Sequence, residues 1–375
     1  MTPTIGSKMS REPRLGLSIG GLTLVELMVA ITIGLIILTA VVRLFATSRA
    51  VYTLEEGLAR VQESGRFAME FLSQDIRMAG YIGCASATNT TVQNHLNNPD
   101  DYGVNFTPTL SGHRYTGSGG RPSALTDWTP ALPGTINGVV YFSAGDVEPN
   151  TDVLVIRRAS ETDIKLGGAM PTTAASLKID ANPGNLKDND IVMVSDCTNA
   201  DIFQITGPDS FGTGSNNLVH NAGASVPGNQ TQDLSKSYGT DAQVMKLITR
   251  VYYIGRRSNS TDNPPALFRR EFPSTTTVIA QELVEGIETM QFAFGEDTVA
   301  DTYNTPNIYR SNASAVADWS KVTAVRVGLL VATTSGVDQG TDTRTYSLAG
   351  NSVGPFPDTK RRRAFNSTVQ LRNRF

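Results

Sequence analysis

The most apolar part of the chain lies near its N-terminus. From Leu22 to Val42 the sequence reads LTLVELMVAITIGLIILTAVV, with a single charged residue, Glu26. About 20 apolar residues suffice for a helix to cross the hydrocarbon of a bilayer. The core helix of a soluble protein is the alternative, but such a helix is seldom apolar on every side for this length. The pattern therefore predicts a transmembrane helix over 22–42.

A helical pattern continues beyond the apolar run, and no proline interrupts it before Pro99. Apolar residues recur at spacings of three, four and seven, which is typical of a helix with one buried face. They are Leu54, Leu58, Val61, Ala68, Leu72, Ile76 and Ala79. Gly80 suits a helix C-terminus, and the stripe is not the strict heptad of a coiled coil. We therefore predict one long helix over 22–80.

From Tyr81 onward the pattern changes to short apolar strands between turns rich in Gly, Asn, Ser and Pro. The candidate strands are Val153–Ile156, Ile191–Val194, Val244–Ile254, Ala266–Arg270, Ile287–Phe294, Val322–Val331 and Phe365–Leu371. Several alternate apolar and polar residues, which favours half-buried antiparallel strands. The sequence thus predicts an α+β plan in which the long helix packs on a β-rich antiparallel head, residues 81–375.

Two polar stretches of the predicted head, about 85–139 and 198–243, show no clear pattern. Both are long for connections inside a compact domain. We interpret them as mobile polar loops; the alternative is that they are surface insertions that contact other subunits.

Composition narrows the possible functions. Charged residues make up 18% of the chain, below the roughly 25% of an average soluble domain. The net charge of -3 provides no general attraction to nucleic acid or anionic lipid. Three histidines and two cysteines are a poor supply for metal or His-based catalysis, and no G-x-S-x-G, H-E-x-x-H or Walker sequence occurs. We expect a non-enzymatic protein without cofactor or metal.

Two groups of charged residues are candidate binding sites, one for nucleic acid and one for Ca²⁺. Residues 360–363, Lys-Arg-Arg-Arg, are interpreted as a solvated turn rather than a nucleic-acid patch. Asp297 with Asp301, and Asp188 with Asp190, offer oxygen ligands for Ca²⁺, but neither pair follows the EF-hand spacing.

The segment before the apolar run is unlike a secretory signal. A secretory signal places its small-residue cleavage site after the apolar run, whereas Gly20 and Gly21 precede it. Cleavage after Gly21 would make Leu22 the new N-terminus and place its amine about one helical turn from the Glu26 carboxylate. A charge at membrane depth costs about 2.5–3.5 kcal/mol. If the Glu26 carboxylate pairs with the Leu22 amine, within one chain or between neighbouring chains, the two charges neutralise each other. The alternative is that the Glu26 side chain extends to the membrane surface.

Gly21 and the nine residues after it, LTLVELMVA, resemble the class III signal of type IV prepilins and type II secretion pseudopilins. The resemblance implies that prepilin peptidase removes the leader, residues 1–21, between Gly21 and Leu22. It also implies N-methylation of Leu22, which stands where Phe is commonest, and a role for Glu26 in subunit assembly.

Further segments resemble PilW-type minor pilins. They are Glu63–Ala68, Asp75–Tyr81, Gly83–Cys84, Asp152–Arg157, Val194–Cys197, Gln281–Glu288 and Thr368–Arg374. Arg43 stands where major pilins often carry a helix-bending Pro, which favours a minor subunit.

The resemblance implies a minor pilin that initiates or assembles type IV pili, with its head in the periplasm and its helix in the bacterial inner membrane before it enters the fibre or tip. Its partners would be other minor and major pilin-like subunits and the pilus assembly platform. The alternatives are a type II secretion pseudopilin and a membrane-tethered adhesin or DNA-binding head.

The two cysteines, Cys84 and Cys197, lie after the long helix and after a candidate strand. In an oxidising periplasm two lone cysteines are usually paired. We therefore predict a disulfide that links the helix to the sheet, with two free buried thiols as the alternative.

Overall fold

The computed structural model of the protein describes a long N-terminal helix followed by a β-rich region. The residues that it describes are 21, 23–85, 90–118, 120, 122–136, 138–207, 216–223, 226–272, 278–299, 305–337 and 340–373. They divide into two compact units, of which the first ends at Thr53 and the second begins at Leu54. The predicted α+β fold class is confirmed.

Helix α1 runs from Leu24 to Met78, 55 residues without a break. Its C-terminal end is set by Gly80, whose φ of +74° belongs to the left-handed region that favours glycine. A Cβ at Gly80 would lie 2.7 Å from the backbone oxygen of Asn373, so the close approach of the C-terminal segment also requires glycine. The helix therefore ends within two residues of the predicted position.

Twenty strands follow among the described residues. In chain order they are β1 (Thr91–Asn94), β2 (Leu110–Tyr115), β3 (Trp128–Thr129), β4 (Thr135–Ile136), β5 (Val139–Val140), β6 (Val153–Ala159), β7 (Ile164–Lys165), β8 (Leu177–Lys178), β9 (Ile191–Ser195), β10 (Asn199–Gln204), β11 (Asn217–Leu218), β12 (Gln243–Arg256), β13 (Pro265–Phe272), β14 (Ile279–Glu285), β15 (Ile287–Glu296), β16 (Ile308–Arg310), β17 (Val322–Ala332), β18 (Tyr346–Leu348), β19 (Asn351–Val353) and β20 (Arg362–Gln370). Each of the seven strands predicted from the sequence is present.

The larger sheet is built around β12. Its main path is β1-β10-β9-β12-β6-β2-β3, with β13 and β7 also paired to β12 and with β14 paired to β13. The first residues of β12 pair with β9 and its later residues pair with β6 and β13, so one 14-residue strand connects two groups of strands. The pairs are antiparallel except β1 with β10.

A second sheet has four antiparallel strands in the order β16-β15-β17-β20. Its apolar residues and those of the larger sheet meet the buried face of α1 in one cluster. The helix contributes Val61, Ala68, Leu72, Ile76 and Ala79; the sheets contribute Leu154, Ile156, Tyr252, Phe292, Val327 and Leu329, among others. The apolar stripe predicted for the second half of the helix is therefore the face that packs on the sheets, although Leu58 remains exposed.

The expectation of half-buried strands is wrong for the centre of the small sheet. Thr289, Gln291 and Ala293 alternate with the apolar residues Met290, Phe292 and Phe294 and form the outer face of β15. All three are buried, and β17 exposes only Arg326. The hairpin of β18 and β19 lies against this outer face, and a Cβ at Gly328 would lie 2.6 Å from Ala349 N. A local covering hairpin of six residues has no alternation strong enough to reveal its position in the sequence.

The interpretation of residues 85–139 and 198–243 as mobile loops is also wrong for their described parts. The first contains β1 to β4, and the second contains all of β10 and β11. Leu96, Leu110 and Leu218 are fully buried. These strands are short, and their partners lie far away in the chain, so local periodicity does not reveal them.

Candidate functional site

The start of α1 is closed by two residues that bond to each other. The Glu26 N–H donates to Thr23 Oγ1 at 3.3 Å, and the Thr23 N–H and hydroxyl donate to Glu26 Oε2 at 3.2 and 3.1 Å. This reciprocal arrangement is a capping box, with Thr23 at the N-cap and Glu26 three residues later. An N-cap of this kind stabilises a helix by about 1 kcal/mol. Sequence reasoning did not find this role for Glu26, although the T-x-x-E spacing carries it.

The capping box fixes where the Glu26 carboxylate lies. It is held at the positive end of the helix dipole and against the N–H of Thr23, the residue that follows Leu22. Leu22 itself, the predicted new N-terminus, and residues 1–20 of the predicted leader lie outside the described residues. Gly21 is exposed, and nothing lies within 4 Å of the position that a Cβ would take there.

The first unit presents an apolar surface on all sides. Between Leu24 and Val42 its large apolar side chains are exposed. They include Leu24, Val25, Leu27, Met28, Val29, Ile31, Ile33, Leu35, Ile36, Ile37, Leu38, Val41 and Val42. Soluble proteins rarely expose so large a continuous patch. The helix is long and apolar enough to cross a membrane, as the sequence predicts for 22–42.

Asp75 ties the second half of α1 to the larger sheet. Its buried carboxylate accepts hydrogen bonds from Arg250 Nη1 at 2.9 and 3.0 Å, from Arg158 Nη2 at 3.3 Å, and from the Tyr252 hydroxyl. Burial and the Asp75 charge both raise the pKa of Tyr252. In the sequence, Asp75 opens the segment Asp75–Tyr81 and is marked only as an acid beside Ile76 on the apolar face of the helix.

The predicted disulfide is present. Cys84 and Cys197 are bonded, with an S–S distance of 2.06 Å and Cα atoms 5.2 Å apart. Cys84 follows the end of α1, and Cys197 lies in the turn between β9 and β10. The bridge and Asp75 therefore join the C-terminal end of the helix to the sheet at two separate places.

Residues 360–363 were predicted to form a solvated turn, but Arg362, the third of them, is buried. The Arg362 side chain is 1% exposed and pairs with Glu288 at 2.6 Å, Asp358 at 2.5 Å and Asp342 at 3.3 Å. Although burial raises the pKa of Asp342, hydrogen bonds from Arg344 and Tyr346 lower it to about 2. Three acids from separate segments converge on one arginine, which composition alone cannot reveal.

A group that contains an acid, a His and a Ser lies around Asp201, and its arrangement is structural. Asp201 Oδ1 lies 2.7 Å from His95 Nε2, and its Oδ2 accepts hydrogen bonds from the Ser235 and Tyr238 hydroxyls at 2.7 and 2.8 Å. Burial raises the pKa of Asp201, but these hydrogen bonds outweigh burial and lower it. Activation of a serine needs the imidazole beside the hydroxyl; here the carboxylate lies between them and joins β10 to the loop before β12.

The candidate calcium ligands do not converge in the described part of the chain. Asp190 pairs with Lys246 at 2.7 Å, and Asp301 lies outside the described residues. Within the described residues, no group of three or more His, Cys, Asp or Glu is placed to hold a metal ion.

Residues 251–373 match the family described as Type IV Pilus-assembly protein W. The C-terminal part of the chain is therefore similar to a type IV pilus-assembly protein. The matched segment begins inside β12 and includes Tyr252, one of the partners of Asp75, together with the whole four-stranded sheet. No curated protein and no solved structure matches the chain.

Proposed function

We propose that this protein is a minor pilin, a structural subunit that takes part in the initiation and assembly of type IV pili. Its action is assembly and not catalysis, and it needs no cofactor or metal. It is held in the bacterial inner membrane by the apolar part of α1, with its head in the periplasm, until it enters the fibre or its tip.

The observation that carries this proposal is the start of α1. An apolar helix begins at Leu24, three residues after Gly21, and its first turn contains one carboxylate, held beside the backbone of Thr23. A soluble protein gains nothing from such an exposed helix. A subunit that leaves the bilayer for a bundle of like helices needs both the apolar surface and a charge that another chain can pair. The match over 251–373 supports a role in pilus assembly independently.

The mechanism follows from these positions. Prepilin peptidase removes residues 1–21, and the amine of Leu22 becomes the positive partner of Glu26. When helices associate, the carboxylate of one subunit pairs with the amine of a neighbour, which lowers the cost of both charges in the apolar bundle. Asp75 and the disulfide hold the head on the second half of α1. A force that the assembly platform applies to this part of the helix is therefore transmitted to the head.

Leader removal is tested by mass spectrometry of the N-terminal peptide from membranes. We expect a chain that begins at Leu22, with a methylated amine. Gly21→Ser should leave the leader uncut. Because none of the described residues lies within 4 Å of a Cβ at position 21, a processing defect would report on access by the peptidase and not on misfolding. A mature chain that begins after Val42 would contradict the proposal.

The role of Glu26 is tested with two substitutions. Glu26→Gln keeps a side chain that can complete the capping box but removes the charge, whereas Glu26→Val removes both. If the charge pairs with another chain, both variants should remain in the membrane, be processed at Gly21 and co-purify with fewer pilin-like subunits, while pilus number falls. Normal pili with Glu26→Gln would assign the residue to the cap alone.

Deletion of the gene separates pilus assembly from secretion. We expect fewer pili and unchanged protein secretion. Loss of secretion with normal pili would instead assign the protein to a type II secretion pseudopilus.

A further inference from the structure

Strand β20 has one free edge. It lies at the end of the four-stranded sheet and pairs with β17 on one side only among the described residues. The Leu371 N–H donates to Thr323 O, and Arg361 O accepts from the Thr333 N–H, at 2.9 Å each. Both bonds follow the β17–β20 register, so the odd-numbered residues of β20 bond to β17. In an antiparallel pair the residues between them point their N–H and C=O groups to the other side.

The outward-pointing residues form a row of unused backbone groups. Four of them lie in the central and C-terminal part of the strand, and their backbone N–H and C=O groups make no hydrogen bond in the described structure. They are Ala364, Asn366, Thr368 and Gln370. The last three are exposed. At an exposed edge such groups bond to water, and an extended backbone is the protein partner whose geometry matches them.

Beyond Arg362 and Arg363, which begin the strand, the part of β20 from Ala364 to Gln370 carries no charge and lacks the features that usually prevent strand addition. β20 is nine residues long, contains no proline, and pairs with β17 without a register shift. The other long outer strand, β14, is interrupted by a register shift against β13 and carries Glu282 and Glu285. Natural proteins protect sheet edges by short strands, bulges, prolines or charges. The part of β20 after Arg363 is therefore an open edge among the described residues.

A groove runs beside this edge. It has a volume of about 830 Å³ and lies between the outer face of α1 and the side chains of β20. Its apolar part is formed by Gly65, Met69 and Phe365. Side chains of a strand added to β20 would alternate, and every second one would point to the groove.

The charges around the groove indicate what such a strand would carry. Arg66, Arg77 and Arg363 line it, and none of the three makes an ion pair among the described residues. Glu63 and Glu70 lie on the same wall, so the arginines outnumber the acids by three to two. The groove fits an extended segment with apolar side chains over Phe365 and carboxylates beside the arginines.

We propose that the free edge of β20 binds an extended segment of another pilus subunit, which adds a strand to the four-stranded sheet. This inference rests on the proposed function, since it takes the partner from the same assembly. Backbone hydrogen bonds supply the affinity, and the groove selects the side chains of the added strand. The two contacts of the protein would then be separate: the helix pairs in the membrane, and the head pairs through β20.

Hydrogen exchange tests the proposal without any substitution. The probe is the full-length protein, purified alone in detergent or co-purified with the pilin-like subunits expressed from the same host. In the complex, exchange at the amides of Ala364, Asn366, Thr368 and Gln370 should slow by about tenfold or more, while the amides bonded to β17 should not change. Unchanged exchange at all four in a recovered complex would overturn the proposal. Protection in the protein alone that rises with its concentration would assign the edge to a second copy instead, which also overturns it.

A pair of variants provides the second test. Thr368→Pro removes an outward N–H and no bond to β17, whereas Thr368→Ala changes only the side chain. Thr368→Pro should reduce recovery of the partner subunit by about fivefold or more, and Thr368→Ala should not. If recovery is the same for both variants but falls with Glu26→Gln, strand addition is wrong and the proposed function stands. If the wild-type protein recovers no pilus subunit, both are wrong.

Discussion

The ring of Phe365 lies directly against Gly65 of α1. A Cβ on Gly65 would lie 2.7 Å from Phe365 Cδ2, well inside van der Waals contact. The sequence shows a glycine that weakens a helix by about 1 kcal/mol; the structure shows that the helix approaches β20 closely at this point.

We predict that Gly65→Ala destabilises the protein although alanine is the better helix former. Overpacking costs typically about 1–3 kcal/mol, against about 1 kcal/mol gained in helix propensity. The free energy of unfolding of the full-length protein in detergent, from urea titration, measures the balance. With Phe365→Leu in the background, Gly65→Ala should become neutral or stabilising. The same loss in both backgrounds would show that the ring is not the cause.

We predict a large loss of stability for Asp75→Asn. The substitution keeps the shape but removes the charge that Arg250 and Arg158 share. Removing one partner from a buried ion pair costs about 3–5 kcal/mol. Fluorescence of Trp128 and Trp319 during urea unfolding provides the measurement. Glu55→Gln, at an exposed position of the same helix, is the control and should change stability by less than about 0.5 kcal/mol. A loss no greater than that of the control would contradict the role of Asp75.

We predict that the double variant Cys84→Ser with Cys197→Ser loses up to about 4–5 kcal/mol, because the bridge closes a loop of more than a hundred residues. The double variant avoids the free thiol that a single substitution would leave. In the wild-type protein, non-reducing peptide mapping should recover the two cysteines as one linked peptide. Alkylation of both in the native, unreduced protein would disprove the bridge.

We predict two opposed effects of pH in the head. Burial lowers the pKa of His113 to about 4, and burial raises the pKa of Asp152 to about 6. As the pH falls from 6.5 to 4, the unfolded chain protonates its histidine before the native protein does, which destabilises the native state by about 3 kcal/mol. Over nearly the same pH range, Asp152 binds its proton in the native protein before it does so in the unfolded chain. This stabilises the native state by a similar amount.

The two effects can be separated by Asp152→Asn. This variant should lose about 3 kcal/mol more than the wild type when the pH is lowered from 6.5 to 4, as measured by urea unfolding at each pH. His113 should remain neutral to about pH 4, which histidine-selective NMR can follow because the chain has three histidines. Titration of His113 near pH 6.5 would contradict the prediction.

Much of the plan is determined by local sequence. The stripe from Val61 to Ala79 and the glycine at 80 specify a helix and its end. The seven apolar strands specify four of the ten strands of the larger sheet and three of the four strands of the smaller one. The spacing of Gly21, Thr23 and Glu26 likewise carries the predicted processing site and the cap in a few adjacent residues. These features can be predicted from the sequence because each depends on periodicity or spacing within one element.

Only the tertiary structure shows which charged residues are buried and which strand edge is free, because both depend on residues far apart in the chain. Asp75 acquires its role only where Arg158, Arg250 and Tyr252 meet the helix, and Arg362 is buried only because Glu288, Asp342 and Asp358 surround it. The free edge of β20 is likewise a property of strand order, which no local pattern encodes. Sequence specifies the elements through local periodicity, whereas burial and pairing are set by which elements become neighbours.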